Sequence, residues 1–297
     1  MQNEIKKRLA ELDKIFDLKS IQKRQTSDPT SITKYYRLNR LTYWLLMDRG
    51  GSVHLSLDGD YLGSAKLIAK LIDKYRPKTI LELAAGKGAN TKYLSKEFQK
   101  SQFFALDLPK GQFNPAKLNQ SMNVDADDGD FHNLEGFTDA TLDLVFIVEA
   151  LCYANNQNRV IREVKRTLRP GGLFVIIQDN LTQDNYSSAE LLAVKLLHAG
   201  VMSNFRERSY RSLKTNLTKN GMKIIQHKDL TENVQPQLER FDNQARFFIR
   251  HERFTRLLTK LLPQEITANI ISVYLLPALF RAKLDKYEMV IAQKIKS

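Results

Sequence analysis

Apolar segments that alternate with helical segments constrain the fold of this chain most. The runs TILEL, QFFALDL, LDLVFIVEA and LFVIIQD are almost continuously apolar, and helical patterns such as NRVIREVKRTL lie between them. SMNVDA reads as a shorter strand, and MKIIQH and YEMVIAQ as two later ones. Strands without a polar face are typical of a parallel sheet that helices cover on both faces. The sequence therefore predicts an α/β fold.

The two ends of the chain depart from this alternating pattern. Residues 4–18 predict an amphipathic helix, and an aromatic-rich stretch follows the break at TSDPTS. We therefore expect a helical N-terminal cap or lid over residues 1–63 and the α/β domain over residues 64–297. Within that domain, residues from about 229 to 285 are mostly helical in pattern and predict an insertion before the last strand.

Composition and charge limit the functions to be considered. The 297 residues carry a net charge of +13, which favours anionic partners but also suits an ordinary lysine-rich surface. With one cysteine, Cys152, and a charged N-terminus, we expect a soluble cytoplasmic protein. Zinc-ligand spacings and RNA-binding aromatic signatures are missing from the sequence, so we expect neither a metal nor a nucleic-acid partner.

Residues 246–262 predict a basic amphipathic helix. Phe247, Phe254, Leu258 and Leu261 share one face, and arginines with Lys260 occupy most of the other. A surface helix that packs on the core explains this pattern. Peripheral docking on a membrane is the second interpretation, and the pattern alone leaves both open.

A pair of glycines between the first apolar run and the next helix marks a ligand-binding turn. Gly86 and Gly88 begin the spacing of the dinucleotide fingerprint, but Thr91 stands where that fingerprint has its third glycine. The dinucleotide interpretation therefore fails at the position that packs helix against strand. The pattern that remains is Glu-x-Ala-x-Gly-x-Gly, which runs from Glu82 to Gly88.

This pattern resembles motif I of class I S-adenosylmethionine (SAM)-dependent methyltransferases, which usually has Gly where this chain has Ala84. The resemblance continues with Asp107 at the end of the second strand and with RPGG before the fifth. It implies a Rossmann-like, seven-stranded methyltransferase sheet with helices on both faces, SAM as cofactor and S-adenosylhomocysteine as product. The cofactor contacts that it implies are Glu82, Ala84, Gly86, Gly88, Asn90, Asp107, Leu108, Asp125, Ala126 and Val148.

Four of these positions have specific expected roles. Asp107 would accept hydrogen bonds from the ribose hydroxyls, as an acid at the second strand's tip can. Asp125 and Ala126 would meet the adenine. Glu82 would fix the loop or meet the methionine ammonium of SAM, directly or through water.

The region after the fourth strand resembles the sterol and isoprenoid C-methyltransferase branch of the family. Glu149 in VEALCYAN occupies that branch's glutamate position, although Tyr153 stands where a histidine often lies. The upstream stretch YYRLNRLTYWLLMDRGGSVHLSL resembles the segment that folds over the substrate. The likeness implies Glu149, His54 and Tyr36 as catalytic residues. As substrate-contacting residues it implies Tyr36, Tyr43, Trp44, His54 and Tyr153.

Several functions fit these residues. The leading hypothesis is C-methylation of a small, lipid-like or isoprenoid acceptor, apolar with an anionic head, with Glu149 as general base. N- or O-methylation of a small natural product is the alternative, with Glu149 or His54 positioning the amine or hydroxyl. RNA methylation and a non-catalytic SAM-binding protein are further hypotheses. Glu149 could also be a strand-end carboxylate that binds backbone, and the aromatic residues could be core.

Overall fold

The structure is a computed structural model that describes residues 2–24, 28–44, 53–183, 185–204 and 208–295. Its strands are β1 Thr79–Leu83, β2 Gln102–Asp107, β3 Val124–Asp128, β4 Leu142–Val148, β5 Leu168–Leu181, β6 Met222–Asp229 and β7 Asp285–Lys294. The helices up to β5 are α1 Gln2–Asp13, α2 Leu18–Gln22, α3 Pro29–Leu38, α4 Arg40–Tyr43, α5 Gly63–Tyr75, α6 Ala89–Glu97, α7 Pro115–Leu118 and α8 Gln157–Thr167. The later helices are α9 Ser188–Gly200, α10 Tyr210–Lys219, α11 Gln235–Arg250, α12 Glu252–Leu261 and α13 Gln264–Arg281.

Within the described residues, one seven-stranded sheet forms the centre of the molecule, with the order β3-β2-β1-β4-β5-β7-β6. Strands β1 to β5 pair in parallel, whereas β7 is antiparallel to both β5 and β6. The order reverses at β1 and β4, and ligands of open α/β sheets bind at the carboxyl ends of strands beside such a reversal. The predicted Rossmann-like, seven-stranded fold is confirmed.

Two apolar layers cover the sheet, because successive side chains of each strand point to opposite faces. On one face, Ile80 of β1 packs in the same cluster as Ile68 of α5. On the other face, Leu81 lies in a cluster with Val160 of α8. This arrangement explains why the strands are apolar at almost every position.

A third apolar cluster lies away from the sheet and consists mainly of helices. It joins α1 and α2 to α9 and α13, with Leu12 and Leu275 both at 0% exposure. The N-terminal segment and the segment between β6 and β7 are helical, as the sequence predicts. The expected helix over residues 4–18 ends at Asp13 instead and restarts at Leu18. The expected helix over 246–262 is also wrong, since α11 ends at Arg250 and α12 begins at Glu252.

A buried arginine joins the N-terminal helix to the helices that precede β7. Arg8 is 1% exposed, and its Nη1 donates to Asp242 Oδ1 at 2.7 Å and to the Tyr274 carbonyl at 2.6 Å. Its guanidinium also lies 4.4 Å from the centre of the Tyr274 ring, within reach of a cation–π interaction. Removing the cation would leave Asp242 without its shortest ion pair.

We expect Arg8→Met to lower the free energy of unfolding by about 3 kcal/mol, the usual effect of breaking a buried ion pair from one side. Urea denaturation followed by circular dichroism measures this change. The control is Arg76→Met, because the Arg76 side chain is 81% exposed and lies 3.9 Å from Asp73. Equal stability of the two variants would show that the Arg8 contacts do not hold the N-terminal helix in place.

Candidate active site

The turn between β1 and α6 has the backbone that its glycines permit. Gly86 and Gly88 have φ angles of 59° and 71°, in the left-handed region that glycine adopts at little cost. A Cβ added at Gly88 would lie 2.5 Å from Leu118 Cδ1, so a larger residue also lacks space there. Ala84 has a φ of 54°, which explains why a glycine would suit this position as well.

Glu82 fixes this turn from inside the protein. The side chain is buried and accepts hydrogen bonds from Asn90 Nδ2 at 2.8 Å and from the backbone N–H of Thr91 at 3.0 Å. The Thr91 hydroxyl also donates to it. Burial raises the pKa of Glu82 to about 7, against the lowering effect of these donors. These contacts are those of a loop-fixing residue, and neither Glu82 nor Asn90 lines the cavity described below.

Asp107 lies at the tip of β2 and connects the glycine turn to the next strand. Its Oδ2 accepts from the Gly86 N–H at 2.5 Å, and its Oδ1 accepts from the Leu108 N–H at 2.6 Å. Burial raises the pKa of this carboxyl to about 6, although both backbone donors lower it. Asp107 and Leu108 line the cavity, so the predicted ribose-binding acid lies where a ligand can reach it.

Asp125 and Ala126, the predicted adenine contacts, do not line the cavity described below. Strand β3 continues to Asp128, which pairs with Asp107, so Asp125 lies three residues before the strand's end. Asp125 is exposed. The backbone N–H of Ala126 donates to Asn119 Oδ1 at 2.7 Å, and Asn119 Nδ2 donates to the Ala126 carbonyl at 3.0 Å. At the edge of the sheet, the cavity is lined instead by Gly129, Asp130, Phe131 and His132.

Asp130 is the acid that sequence reasoning missed. Its Oδ1 accepts from the backbone N–H of His132 at 2.8 Å and lies 2.6 Å from the ring Nδ1 of His132. The signal for this position is Gly129 directly after the strand, where an added Cβ would lie 2.5 Å from Leu106 Cδ1.

Glu149 lies at the end of β4 in an unusual backbone conformation, with a φ of 50°. Its backbone N–H donates to the Ile177 carbonyl at 2.8 Å. Its carboxylate Oε1 accepts from the Leu55 N–H and from the Tyr287 hydroxyl, both at 2.7 Å. Burial raises the pKa of Glu149 to about 7, and these two donors partly offset that rise. The carboxylate therefore binds backbone, as one hypothesis expects, and also lines the cavity.

An ion pair beside Glu149 was not predicted. Arg208 is 3% exposed and donates to the carboxylate of Asp179 at the end of β5, as well as to the Asp179 carbonyl at 3.0 Å. Both side chains line the same cavity as Glu149. Asp285 at the start of β7 is fully buried near them, and burial raises its pKa well above the usual range.

A cavity of about 450 Å³ joins these groups. One part follows the carboxyl ends of the strands, where Ala84, Gly86, Asp107, Leu108, Val148 and Glu149 line it. The other part extends between helices and is mostly apolar, with Ile32, Val201, Phe248, Ile270, Val273 and Leu276 in its wall. This shape suits a polar ligand at the sheet edge and an apolar one beside it.

Among the predicted acceptor residues, Tyr36, Tyr43, His54 and Tyr153 line the cavity, and Trp44 does not. Trp44 is 49% exposed and lies in a separate surface groove with Arg37 and Arg40. Burial lowers the pKa of His54 to about 4, so its imidazole is neutral and a weak base near neutral pH.

Tyr36, Tyr43 and Tyr153 form a packed aromatic group in the cavity wall. The Tyr36 hydroxyl donates to the Tyr153 hydroxyl at 3.0 Å, and the two rings meet edge to face at 5.8 Å. Burial raises the pKa of each of these phenols well above its usual value. They therefore stay protonated and can offer neutral aromatic faces to a cation.

The described residues contain neither a helix that could span a membrane nor a cluster of side chains that could hold a metal ion. None of their helices is long and apolar enough to span a membrane. In the same parts of the chain, no three histidine, cysteine or acidic side chains come together in a way that could hold a metal ion.

A family model described as methyltransferase domain matches residues 81–176, the segment that contains the glycine turn, Asp107, Asp130 and Glu149. The chain carries a class I SAM-dependent methyltransferase domain. SAM is the cofactor of this family, whose members are methyl-transferring enzymes. The matched segment also holds the switch of strand order between β1 and β4.

Curated relatives match this chain over part of their length. The chain is 29% identical over 133 residues to a sterol 24-C-methyltransferase of Eremothecium gossypii, covering 43% of this chain and 35% of that protein. It is 35% identical over 99 residues to a phthiotriol/phenolphthiotriol dimycocerosates methyltransferase of Mycobacterium tuberculosis, covering 33% and 36%. The chain thus spans about a third of the length of these relatives.

A solved structure extends the likeness over nearly the whole chain. Geranyl diphosphate C-methyltransferase from Streptomyces coelicolor superposes with a TM-score of 0.63 at 15% identity, covering 90% of this chain and 97% of that one. The shared fold therefore extends well beyond residues 81–176.

We expect Glu149→Gln to stabilise the protein without ligand at pH 8. A carboxyl with a raised pKa binds its proton more tightly when folded, so its cost in stability grows as pH rises from 4.5 to about 7. Glutamine carries no charge and can still accept from Tyr287 and Leu55. The gain should be on the order of 3 kcal/mol above pH 7 and near zero at pH 4.5. Urea denaturation at both pH values measures it, and an equal effect at the two would contradict the raised pKa.

Proposed function

We propose that this protein transfers the methyl group of SAM to a carbon atom of a small, apolar, lipid-like or isoprenoid acceptor, with Glu149 as general base. The observation that carries the proposal is the lining of the cavity, because Glu149 shares it with the sheet-edge residues Gly86 and Asp107 and with apolar side chains of the helices. That carboxylate has a pKa of about 7, which suits a base at neutral pH.

The sheet-edge part of the cavity would hold the donor. Asp107 would accept hydrogen bonds from the ribose hydroxyls while it still accepts one from the Gly86 N–H. Asp130 and Phe131 would meet the adenine, and Gly86 would let the backbone approach the ligand closely. The presence of each of these residues in the cavity wall supports these roles.

In the proposed reaction, the tyrosine rings act first and the Glu149 carboxylate acts second. The electron pair of an alkene would form the new bond to the methyl carbon while the bond between sulfur and that carbon breaks, which releases S-adenosylhomocysteine. The faces of Tyr36 and Tyr153 would stabilise the resulting carbocation. Glu149 would then take a proton from a neighbouring carbon, and the alkene would form again.

The printed names of similar proteins support an acceptor of this kind. Two of them describe C-methyltransferases, one of a sterol and one of geranyl diphosphate. The net charge of +13 supports an anionic head group on the acceptor, or a membrane surface as the place where the acceptor is found. We accordingly propose a cytoplasmic protein that contacts membranes peripherally.

A hydroxyl acceptor is the second candidate. The Asp179–Arg208 ion pair lines the cavity with Glu149, so a polar group could be bound at the reacting end. The phthiotriol/phenolphthiotriol dimycocerosates methyltransferase also matches this chain. Nuclear magnetic resonance of the product distinguishes the candidates, because a methyl group on oxygen and one on carbon have different carbon shifts.

We expect Glu149→Gln to reduce kcat by a factor of about 100 or more, the usual contribution of a general base. SAM binding, measured by isothermal titration calorimetry, should stay within about threefold of the wild type. Glu135→Gln is the matched control, since Glu135 is exposed on a loop. Unchanged turnover in Glu149→Gln would exclude Glu149 as the base.

The pH dependence of kcat is a separate prediction. A base acts when deprotonated, so kcat should rise with pH through an apparent pKa near 7 and level off above it. Stopped assays across this range with saturating SAM measure the profile. A flat profile through pH 7 would contradict the assignment of this titration to Glu149.

A further inference from the structure

We propose that an anionic lipid bilayer binds the face formed by α12 and the end of α11, beside the apolar part of the cavity. This docking face consists of Phe247, Phe254, Leu257 and Leu261 with the basic side chains of Arg250, Arg253 and Lys260.

Large apolar side chains are unusually exposed on this face. Phe247 is 53% exposed, Phe254 47%, Leu257 52% and Leu261 69%. Along α12, the positions of Phe254, Leu257 and Leu261 fall on one stripe because they are three and four residues apart. Thr255 is the one residue of α12 that is buried. The apolar stripe of the helix therefore points to solvent rather than into the core.

The charges around the stripe match an anionic surface. Arg250, Arg253 and Lys260 are exposed, and no ion pair involves them among the described residues. Two other arginines nearby are neutralised, since Arg246 lies 3.2 Å from Asp242 and Arg256 lies 2.7 Å from Glu252. An apolar stripe flanked by unpaired cations is typical of helices that lie in the interface of an anionic membrane.

The docking face is also a wall of the cavity. Leu258 and Leu262 line the apolar part from the same helical segment, and Phe248 lines it from α11. Phe248 packs against the exposed Phe247 with ring centres 5.6 Å apart. A bilayer on the outer side of α12 would thus lie one helix away from the site where an apolar acceptor would bind.

Other occupants fit less well. A second copy of this chain carries a net charge of +13, so two such basic faces would repel each other, whereas an anionic bilayer would attract both. The purpose of the docking face rests on the proposed apolar acceptor, which would be taken from the bilayer. The binding itself is tested without acceptor or turnover, so that the two proposals can fail separately.

The test is sedimentation of the full chain with phosphatidylcholine vesicles, with and without phosphatidylglycerol. We expect binding to the anionic vesicles that weakens at high salt. The variant Phe254→Ser/Leu257→Ser/Leu261→Ser should lower the partition coefficient at least about tenfold. Arg250→Ala and Arg253→Ala should each lower it roughly fivefold.

A matched control removes exposed apolar side chains elsewhere, in Met122→Ser/Ile225→Ser/Ile295→Ser. This control should bind vesicles like the wild type, and all variants should bind SAM equally in calorimetry. Equal vesicle binding by both triple variants would overturn the proposal, as would no binding by the wild type. A concentration-dependent dimer that only the α12 variant abolishes, seen by sedimentation velocity, would overturn it in favour of a second copy.

Discussion

The hydrogen bonds of the buried Glu82 carboxylate are the constraint on which the rest of the site depends. They join the end of β1 to the first turn of α6 through Asn90 and Thr91, and so fix the shape of the glycine turn. Because the turn is fixed, the Gly86 N–H points at Asp107 and holds that carboxylate at the cavity. Burial raises the pKa of Glu82, so the ionised carboxylate lowers the free energy of unfolding. The fold keeps this geometry despite that loss of stability.

The acceptor side depends on a second carboxylate that distant segments position. Glu149 is held by Leu55 from the segment before α5 and by Tyr287 from β7. The helical segments around it share a common core with α1, which Arg8 secures to Asp242. The apolar part of the cavity, the Glu149 carboxylate and the sheet edge are therefore held together by shared contacts, although their residues come from distant parts of the chain. If the acceptor is apolar as we propose, the helices are the part of this common fold that is adapted to it.

The sequence predicts features whose residues lie close together along the chain, and it does not predict features that the fold assembles from distant segments. The strands, the glycine turn and Asp107 carry short-range patterns, so they could be read from the sequence. The sequence pattern indicates Asp125 rather than Asp130, because strand ends are uncertain by several residues and only the pairing of Asp107 with Asp128 fixes the edge. Partners such as Arg208 and Tyr287 have no local signal, because the fold brings them to Glu149. The outward direction of the α12 stripe was equally hidden, since an amphipathic pattern does not tell which face is covered.

The most direct test of this account is a crystal structure of the protein with S-adenosylhomocysteine. We expect the ribose hydroxyls to lie within hydrogen-bond distance of the Asp107 carboxylate, the adenine to contact Asp130 and Phe131, and the sulfur to face Glu149 and the apolar part of the cavity. A ligand that leaves Asp107 uncontacted, or whose sulfur faces away from Glu149, would contradict the proposed site and the chemistry assigned to it.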